Sequence, residues 1–314
     1  MGSEGHHLSM PELDQLPREF YWGTLDIHKF EGFWYHPQVL DPLMAMRRHF
    51  QARDDDIILA SSMKTGTTWL KALCYCIMED KKDSTSDDLL LKYHPHDCVP
   101  SLETKIYEDN MKPDLTGMPS PRLFHTHLPY QSLPNTVTKS SCKVVYITRD
   151  AKDTFVSMWH HNNKIFGAFF IPQFSLEKAL DSFYRGVHFF GPFHDHVLQY
   201  WKESRENPQR ILFLKYEELK REPKEQVKKL ASFLGKPFNN EDEIENVLWR
   251  CSLDRLKNLE VNKNGEPVYP YVPNSSFFRL GIVGDWKNTL TTEMAERIDE
   301  LTRAKFEGTG LDLE

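Results

Sequence analysis

Residues 55–79 read DDIILASSMKTGTTWLKALCYCIME: an apolar run that breaks into Ser61-Ser62-Met63-Lys64-Thr65-Gly66-Thr67-Thr68 and resumes as Trp69, Leu70, Leu73 and Ile77 at helical spacing. This predicts a strand, a loop of small residues and a helix start. Such a junction suits an anion, because the first N–H groups of a helix lack partners, the dipole favours negative charge there, and Lys64 adds a full charge. The two threonines can cap the helix or donate hydroxyls to an oxyanion, so plain capping also accounts for the pattern. The usual nucleotide loop, G-x-x-x-x-G-K-[ST], opens on Gly and sets Lys directly before Ser or Thr. Here Ser61 replaces the opening Gly and Lys64 precedes Gly66. An Mg-ATP site, as in a small-molecule kinase, is therefore the weaker reading.

The rest of the chain alternates short apolar strands with helices. Strands are expected at Arg122–Thr126, Lys143–Thr148 and Arg210–Lys215. Helices are expected at Leu40–Phe50, near Ser101–Tyr107, at Asp150–His161, and over Leu176–Glu203 with a break at Gly191-Pro192. Three more follow: one through Val227–Leu234 ending at Gly235, then Glu241–Cys251 and Leu290–Phe306. Residues 259–284 read as irregular. That alternation indicates one α/β domain over 11–314, with a mostly parallel central sheet flanked by helices, and residues 1–10 as a polar tail. The aromatic clusters Phe20-Tyr21-Trp22 and Phe30-Glu31-Gly32-Phe33-Trp34-Tyr35 are expected to be core or a lid over an apolar pocket, which Phe166-Gly167-Ala168-Phe169-Phe170 would help wall.

The net charge of −7 argues against a nucleic-acid partner or a polybasic membrane anchor, and no apolar run reaches the roughly 20 residues a bilayer span requires. Five scattered cysteines (Cys74, Cys76, Cys98, Cys142, Cys251) read as reduced thiols, which places the chain in the cytosol.

In a parallel sheet the ligand lies beyond the carboxyl ends of the strands. Four groups stand there: the Lys64 loop, then His125-Thr126-His127-Leu128-Pro129, then Arg149-Asp150-Ala151-Lys152-Asp153 with Ser157 beyond, then Lys215-Tyr216. Arg279-Leu280-Gly281 and Gly284-Asp285-Trp286-Lys287 add an arginine beside two glycines. Alternation puts both imidazoles of His125 and His127 on one side if the strand persists. A histidine there is as readily a structural core group, and the Arg149-Asp150 pair a plain ion pair. His-x-His also recurs at His94/His96 and His194/His196, but no third ligand stands at a zinc spacing, so no metal is expected.

Together these segments resemble the soluble, cytosolic sulfotransferases, in particular the plant branch. Lys64-Thr65-Gly66-Thr67-Thr68-Trp69 is similar to that family's P-loop-like loop for the 5′-phosphosulfate of 3′-phosphoadenosine 5′-phosphosulfate (PAPS), and Thr126-His127-Leu128-Pro129 to its catalytic histidine motif. Tyr146–Ser157 resembles the segment that binds the 3′-phosphate, and Phe278–Lys287 the C-terminal cofactor signature. The resemblance implies sulfuryl transfer from PAPS to a hydroxyl of a small, largely apolar metabolite, leaving adenosine 3′,5′-bisphosphate (PAP). His127 would be the general base and Lys64 would stabilise the leaving nucleotide. Trp69 and Tyr216 would meet the adenine, and Arg149, Ser157, Arg279 and the backbone near Gly281 would hold the 3′-phosphate.

The chain departs from the pattern at four places. Met63 stands where Pro is usual, Thr65 replaces Ser, Leu280 occupies a position often held by Lys, and His125 stands where many animal members carry Lys. A dimer motif is matched by Lys287, Thr291, Thr292 and Glu296, with Thr for Val, which implies a monomer or a weak homodimer. A nucleotide-binding regulator without turnover is the non-enzymatic alternative.

Overall fold

The computed structural model describes residues 12–79, 88–167, 169, 172–270 and 272–313. The polar tail, Ala168 and Phe170 lie outside these.

Four parallel strands form the centre in the order β5-β4-β6-β7: β4 Ile57–Ser61, β5 Leu123–Thr126, β6 Lys143–Thr148 and β7 Ile211–Lys215. Both faces are covered, which is why these strands read as continuous apolar runs. In β4, Ile57 and Leu59 face one core while Ile58 and Ala60 face the other. In β6, Val145 and Ile147 share the first side, and Val144 and Tyr146 the second. The first core is closed by α2 (Thr67–Met78) and by the helices Pro223–Leu234 and Glu241–Arg250; the second is closed partly by α1 (Pro37–His49).

At the start of the sheet, Asp56 and Arg122 form a buried bidentate pair: Nε donates to Oδ1 at 2.8 Å and Nη2 to Oδ2 at 2.5 Å. The Arg53 N–H also donates to Oδ2 at 2.8 Å. The pair locks β5 beside β4 before the strands run toward the site.

Before this sheet the chain makes a second, antiparallel one: β1 Arg18–Tyr21, β2 Leu25–Phe30 and β3 Phe33–Tyr35. The expected aromatic clusters are its strands. β2 and β3 are joined by Glu31 and Gly32, both at positive φ (48° and 89°), the two-residue turn whose twist matches a hairpin. Tyr21, Trp22, Phe30, Phe33, Trp34 and Tyr35 are buried, while Phe20 is exposed.

The helices arise where periodicity placed them, with shifted ends. Asp150–His161 is extended to Ala151–Gly167. The long segment splits into Leu176–Tyr184 and Phe193–Glu206, with Pro192 closing the gap as the cap of the second. Gly235 caps the helix Pro223–Leu234 at φ 81°, and Leu290–Phe306 begins at Thr292 with Thr291 as its cap. The helix expected near Ser101–Tyr107 is a single wide turn, Leu102–Ile106. Residues 259–284 hold two short turns, Glu260–Lys263 and Asn274–Phe277. Among the described residues no helix is long and apolar enough to cross a membrane.

Removing one partner of a buried ion pair strands the other. Asp56→Ala is expected to cost about 3–5 kcal/mol of unfolding free energy in a urea titration, against under about 1 kcal/mol for the exposed pair Arg18–Asp26 treated the same way.

Candidate active site

The carboxyl ends of all four parallel strands converge on one cavity of about 490 Å³, a size that suits a small ligand. Beyond β4 the chain enters the loop at residues 62–66. Lys64 (φ 67°) and Gly66 (φ 113°) both take the left-handed conformation, and α2 begins at Thr67. Gly66 is required here. A Cβ would meet the Tyr216 ring at 2.9 Å and Ile147 at 3.1 Å, on a backbone conformation that side chains resist. The first backbone bond of the helix runs from Leu70 N–H to the Gly66 carbonyl at 3.0 Å, leaving the earlier N–H groups without helical acceptors at the cavity wall.

Of the residues named from the sequence, Lys64, Gly66, Thr67, Thr68, Trp69, His127, Arg149, Ser157, Tyr216, Arg279 and Gly281 line this cavity. Thr65 and Leu280 do not. The Thr65 hydroxyl is buried and donates to the carbonyls of Ser62 (2.9 Å) and Ile147 (3.0 Å), so it braces the loop against β6. Leu280 points to solvent, 48 % exposed. The expected apolar walls also move. Among the described residues, neither the N-terminal aromatics nor Phe166, Gly167 and Phe169 line the cavity, and apolar surface comes from Leu248, Leu253, Leu256, Phe277 and Phe278.

His127 follows β5 and is clamped on three sides. Its N–H donates to Glu103 Oε1 (2.6 Å), its carbonyl accepts from His196 Nε2 (3.0 Å), and its Nδ1 lies 2.9 Å from the Ser61 carbonyl. A carbonyl only accepts, so Nδ1 carries the proton and Nε2 keeps a free lone pair. Burial lowers the imidazole to about 3, opposed by the Ser61 bond, so the ring is neutral near pH 7. His125 packs edge-on against it, with centroids 4.4 Å apart, but stays outside the cavity, bonded to Ser61 and Ser101.

The 3′-phosphate candidates stand beyond β6 and in the C-terminal segment. Arg149 lies over the Tyr216 ring (4.6 Å) and donates through Nη2 to Asp153 (2.9 Å) and to the Ile282 carbonyl (2.6 Å). Arg279 pairs with Asp285. The Nε groups of both arginines are buried without a partner. Asp153 also accepts from the N–H groups of Gly284 (2.8 Å) and Trp286 (3.0 Å), fastening the C-terminal loop to the helix that follows β6.

The charge balance of the wall is one-sided. Lys64, Arg149, Lys164, Lys220 and Arg279 line the cavity, and among the described residues no Asp or Glu does, in a chain of net charge −7. Burial, then Arg279, Arg149 and Lys164, push Lys64 down to about 7. Lys164, Lys220 and His161 were not picked out from the sequence, and His96 was noted there only within a His-x-His pair weighed for a metal. Ser157, His161 and Lys164 follow one helix face at intervals of four and three, a spacing that carried the signal; Lys220 had none. The other paired histidines serve the core: His196 Nδ1 bonds the Tyr146 hydroxyl and His194 bonds Thr302. Among the described residues no group of three His, Cys, Asp or Glu is placed to hold a metal.

The Lys64 charge is a burden without a ligand. An unfolded lysine stays charged to about pH 10.4, so between about 7 and that value the unfolded state binds more protons and stability rises with pH. Lys64→Met is therefore expected to raise the ligand-free melting temperature by about 1–3 °C at pH 6, a gain that fades as pH approaches 10. Calorimetry at both pH values checks the sign.

The sulfotransferase domain pattern matches residues 54–310. Cytosolic sulfotransferase 12 of Arabidopsis thaliana is 41% identical over 306 residues, covering 95% of this chain and 92% of the relative. Cytosolic sulfotransferase 1 of Arabidopsis thaliana is 45% identical over 293 residues, covering 90% and 88%. Among solved structures, an Arabidopsis thaliana sulphotransferase superposes with a TM-score of 0.76 at 37% identity, covering 96% of this chain and 94% of that one. Mouse sulfotransferase SULT7A1 complexed with PAP superposes at 0.70 with 27% identity, covering 90% and 95%. The chain belongs to the sulfotransferase family.

Proposed function

We propose that the chain transfers the sulfuryl group of PAPS to a hydroxyl of a small, largely apolar molecule. The observation that carries this reading is the pairing, in one cavity, of an anion-binding wall without carboxylates and a neutral imidazole whose free nitrogen is set by the Ser61 carbonyl. The two unpartnered Nε groups of Arg149 and Arg279 suit a phosphate, and Trp69 and Tyr216, edge to face at 5.6 Å, offer aromatic surface for an adenine. A solved relative, the mouse enzyme, is itself complexed with PAP.

In this reading the acceptor hydroxyl gives its proton to His127 Nε2 as its oxygen bonds to sulfur. The sulfur–oxygen bond to the nucleotide phosphate breaks in line, with the bonding electrons left on that phosphate. Lys64 and the helix-start N–H groups neutralise this charge. Positioning and charge stabilisation supply most of the rate, as in phosphoryl transfer. An Mg-ATP site draws on carboxylates, which this wall does not supply. Leu248, Leu253, Phe277 and Phe278 suit an apolar partner. The relatives are named cytosolic, and we assign this chain the same compartment, as a monomer or weak homodimer without a nucleic-acid or membrane partner.

Two measurements test this. PAP, but not ATP with Mg²⁺, is expected to raise the melting temperature, corresponding to about 2.7 kcal/mol at 100 times its Kd; the reverse preference overturns the reading. His127→Ala is expected to lower kcat by about 10²–10⁴ while PAP binding survives, and retained turnover across hydroxylated acceptors would falsify the base assignment.

A further inference from the structure

Behind the loop lies a lysine that the site described so far does not use. Lys71 stands one turn into α2, fully buried; among the described residues it forms no ion pair, and the carboxylates of Glu103 and Asp97 act on it only at longer range. Its Nζ instead meets His96 Nδ1 at 3.1 Å and Ser101 Oγ at 3.3 Å. From there two hydrogen-bond chains run forward. In one, His96 Nε2 meets Thr68 Oγ1 at 3.1 Å. In the other, Ser101 Oγ meets His125 Nδ1 at 3.0 Å, His125 Nε2 meets Ser61 Oγ at 3.0 Å, and Ser61 Oγ meets Thr67 Oγ1 at 2.7 Å.

The direction of each chain follows from what each group can do. An ammonium only donates, and a neutral imidazole has one donor and one acceptor. His96 and His125 are both held neutral by burial. Starting from Lys71, His96 must accept at Nδ1, so its proton sits on Nε2 and is given to Thr68. Ser101 accepts from Lys71 and gives its own proton to His125 Nδ1, which is nearer than the Tyr269 hydroxyl at 3.4 Å. His125 then donates from Nε2 to Ser61, and Ser61 donates to Thr67. Both threonine oxygens are filled as acceptors from behind. Their own protons are left for the cavity, which both residues line.

We propose that Lys71 is a positioning residue for the anion loop: as an ammonium it sets the direction of both chains, so that the hydroxyls of Thr67 and Thr68 present donors to the 5′ group of the nucleotide. This rests on the reading of the loop as the 5′-phosphosulfate site. The arrangement explains why a lysine is buried with no carboxylate hydrogen-bonded to it and why His125, outside the cavity, is bonded at both nitrogens. An anion in the loop in turn favours the charged form of Lys71, whose burial lowers it to about 7.

The test separates one end of the nucleotide from the other. Binding of PAP, which carries both phosphates, and of adenosine 3′-monophosphate, which lacks the 5′ group, is measured by calorimetry on the intact protein and on Lys71→Met. The variant is expected to weaken PAP by about tenfold or more and to leave the 3′-monophosphate within about twofold, the loss being that of charge-linked hydrogen bonds at one end only. An equal loss for both ligands, or none for PAP, overturns the proposal. Should Lys71→Met not fold, His96→Phe with Thr68→Val decides. Thr68→Val is expected to cost PAP affinity in the native background and nothing further beside His96→Phe, whereas additive losses overturn the proposal. Failure of the native protein to prefer PAP over ATP with Mg²⁺ instead removes the functional reading itself.

Discussion

The bond from His127 Nδ1 to the Ser61 carbonyl joins the carboxyl ends of two neighbouring strands, and the chemistry proposed for the site depends on it. It requires β4 and β5 to be parallel and in register, so that both end at the same level. That register is held from the opposite end by Asp56 and Arg122. Their ion pair is remote from the cavity, yet a slip there would carry the imidazole away from its acceptor and free the wrong tautomer. The same carboxyl-end geometry brings Arg149 from β6 and Tyr216 from β7 to the cavity.

Around that frame the protein concentrates positive charge where it has least solvation. Lys64 has no carboxylate partner among the described residues, Arg149 and Arg279 each keep a buried donor unused, and Lys71 hydrogen-bonds only neutral groups, with Glu103 and Asp97 acting on it at longer range. Each arrangement costs folding free energy in the ligand-free state, and an anion relieves all of them at once. Asp153 limits that cost by meeting Arg149 and two backbone N–H groups, while leaving the Nε of Arg149 to a ligand.

Much of this was legible in the linear chain. The four parallel strands declared themselves as doubly buried apolar runs, and the residues after each were candidates because ligands gather at that end of a sheet. The antiparallel sheet was not read, since its strands are short and nearly all aromatic; the informative mark was Glu31-Gly32, a turn pair hidden between two bulky clusters. Thr65 and Leu280 were placed in the site because they stand inside motifs, but a motif does not say which way a side chain turns. Thr65 faces β6 and Leu280 faces water. Lys71 carries no pattern at all, and the His-x-His pattern at His94/His96 points only to a metal. Lys71 meets His96 because α2 and the turn near His94 pack together, a tertiary fact that spacing cannot encode.

The fastening at Asp153 also orders events in time. Its partners Gly284 and Trp286 stand 131 and 133 residues later, so the contacts that hold the C-terminal loop form only once nearly all of the matched domain has been made. During vectorial synthesis the Lys64 loop, His127 and Arg149 therefore leave the ribosome well before the segment carrying Arg279. A nascent chain holds half an anion site, with Asp153 short of two of its three partners. Under the proposed function, nucleotide stabilises the protein only once the segment carrying Arg279 has been made, the step at which binding and folding become one equilibrium.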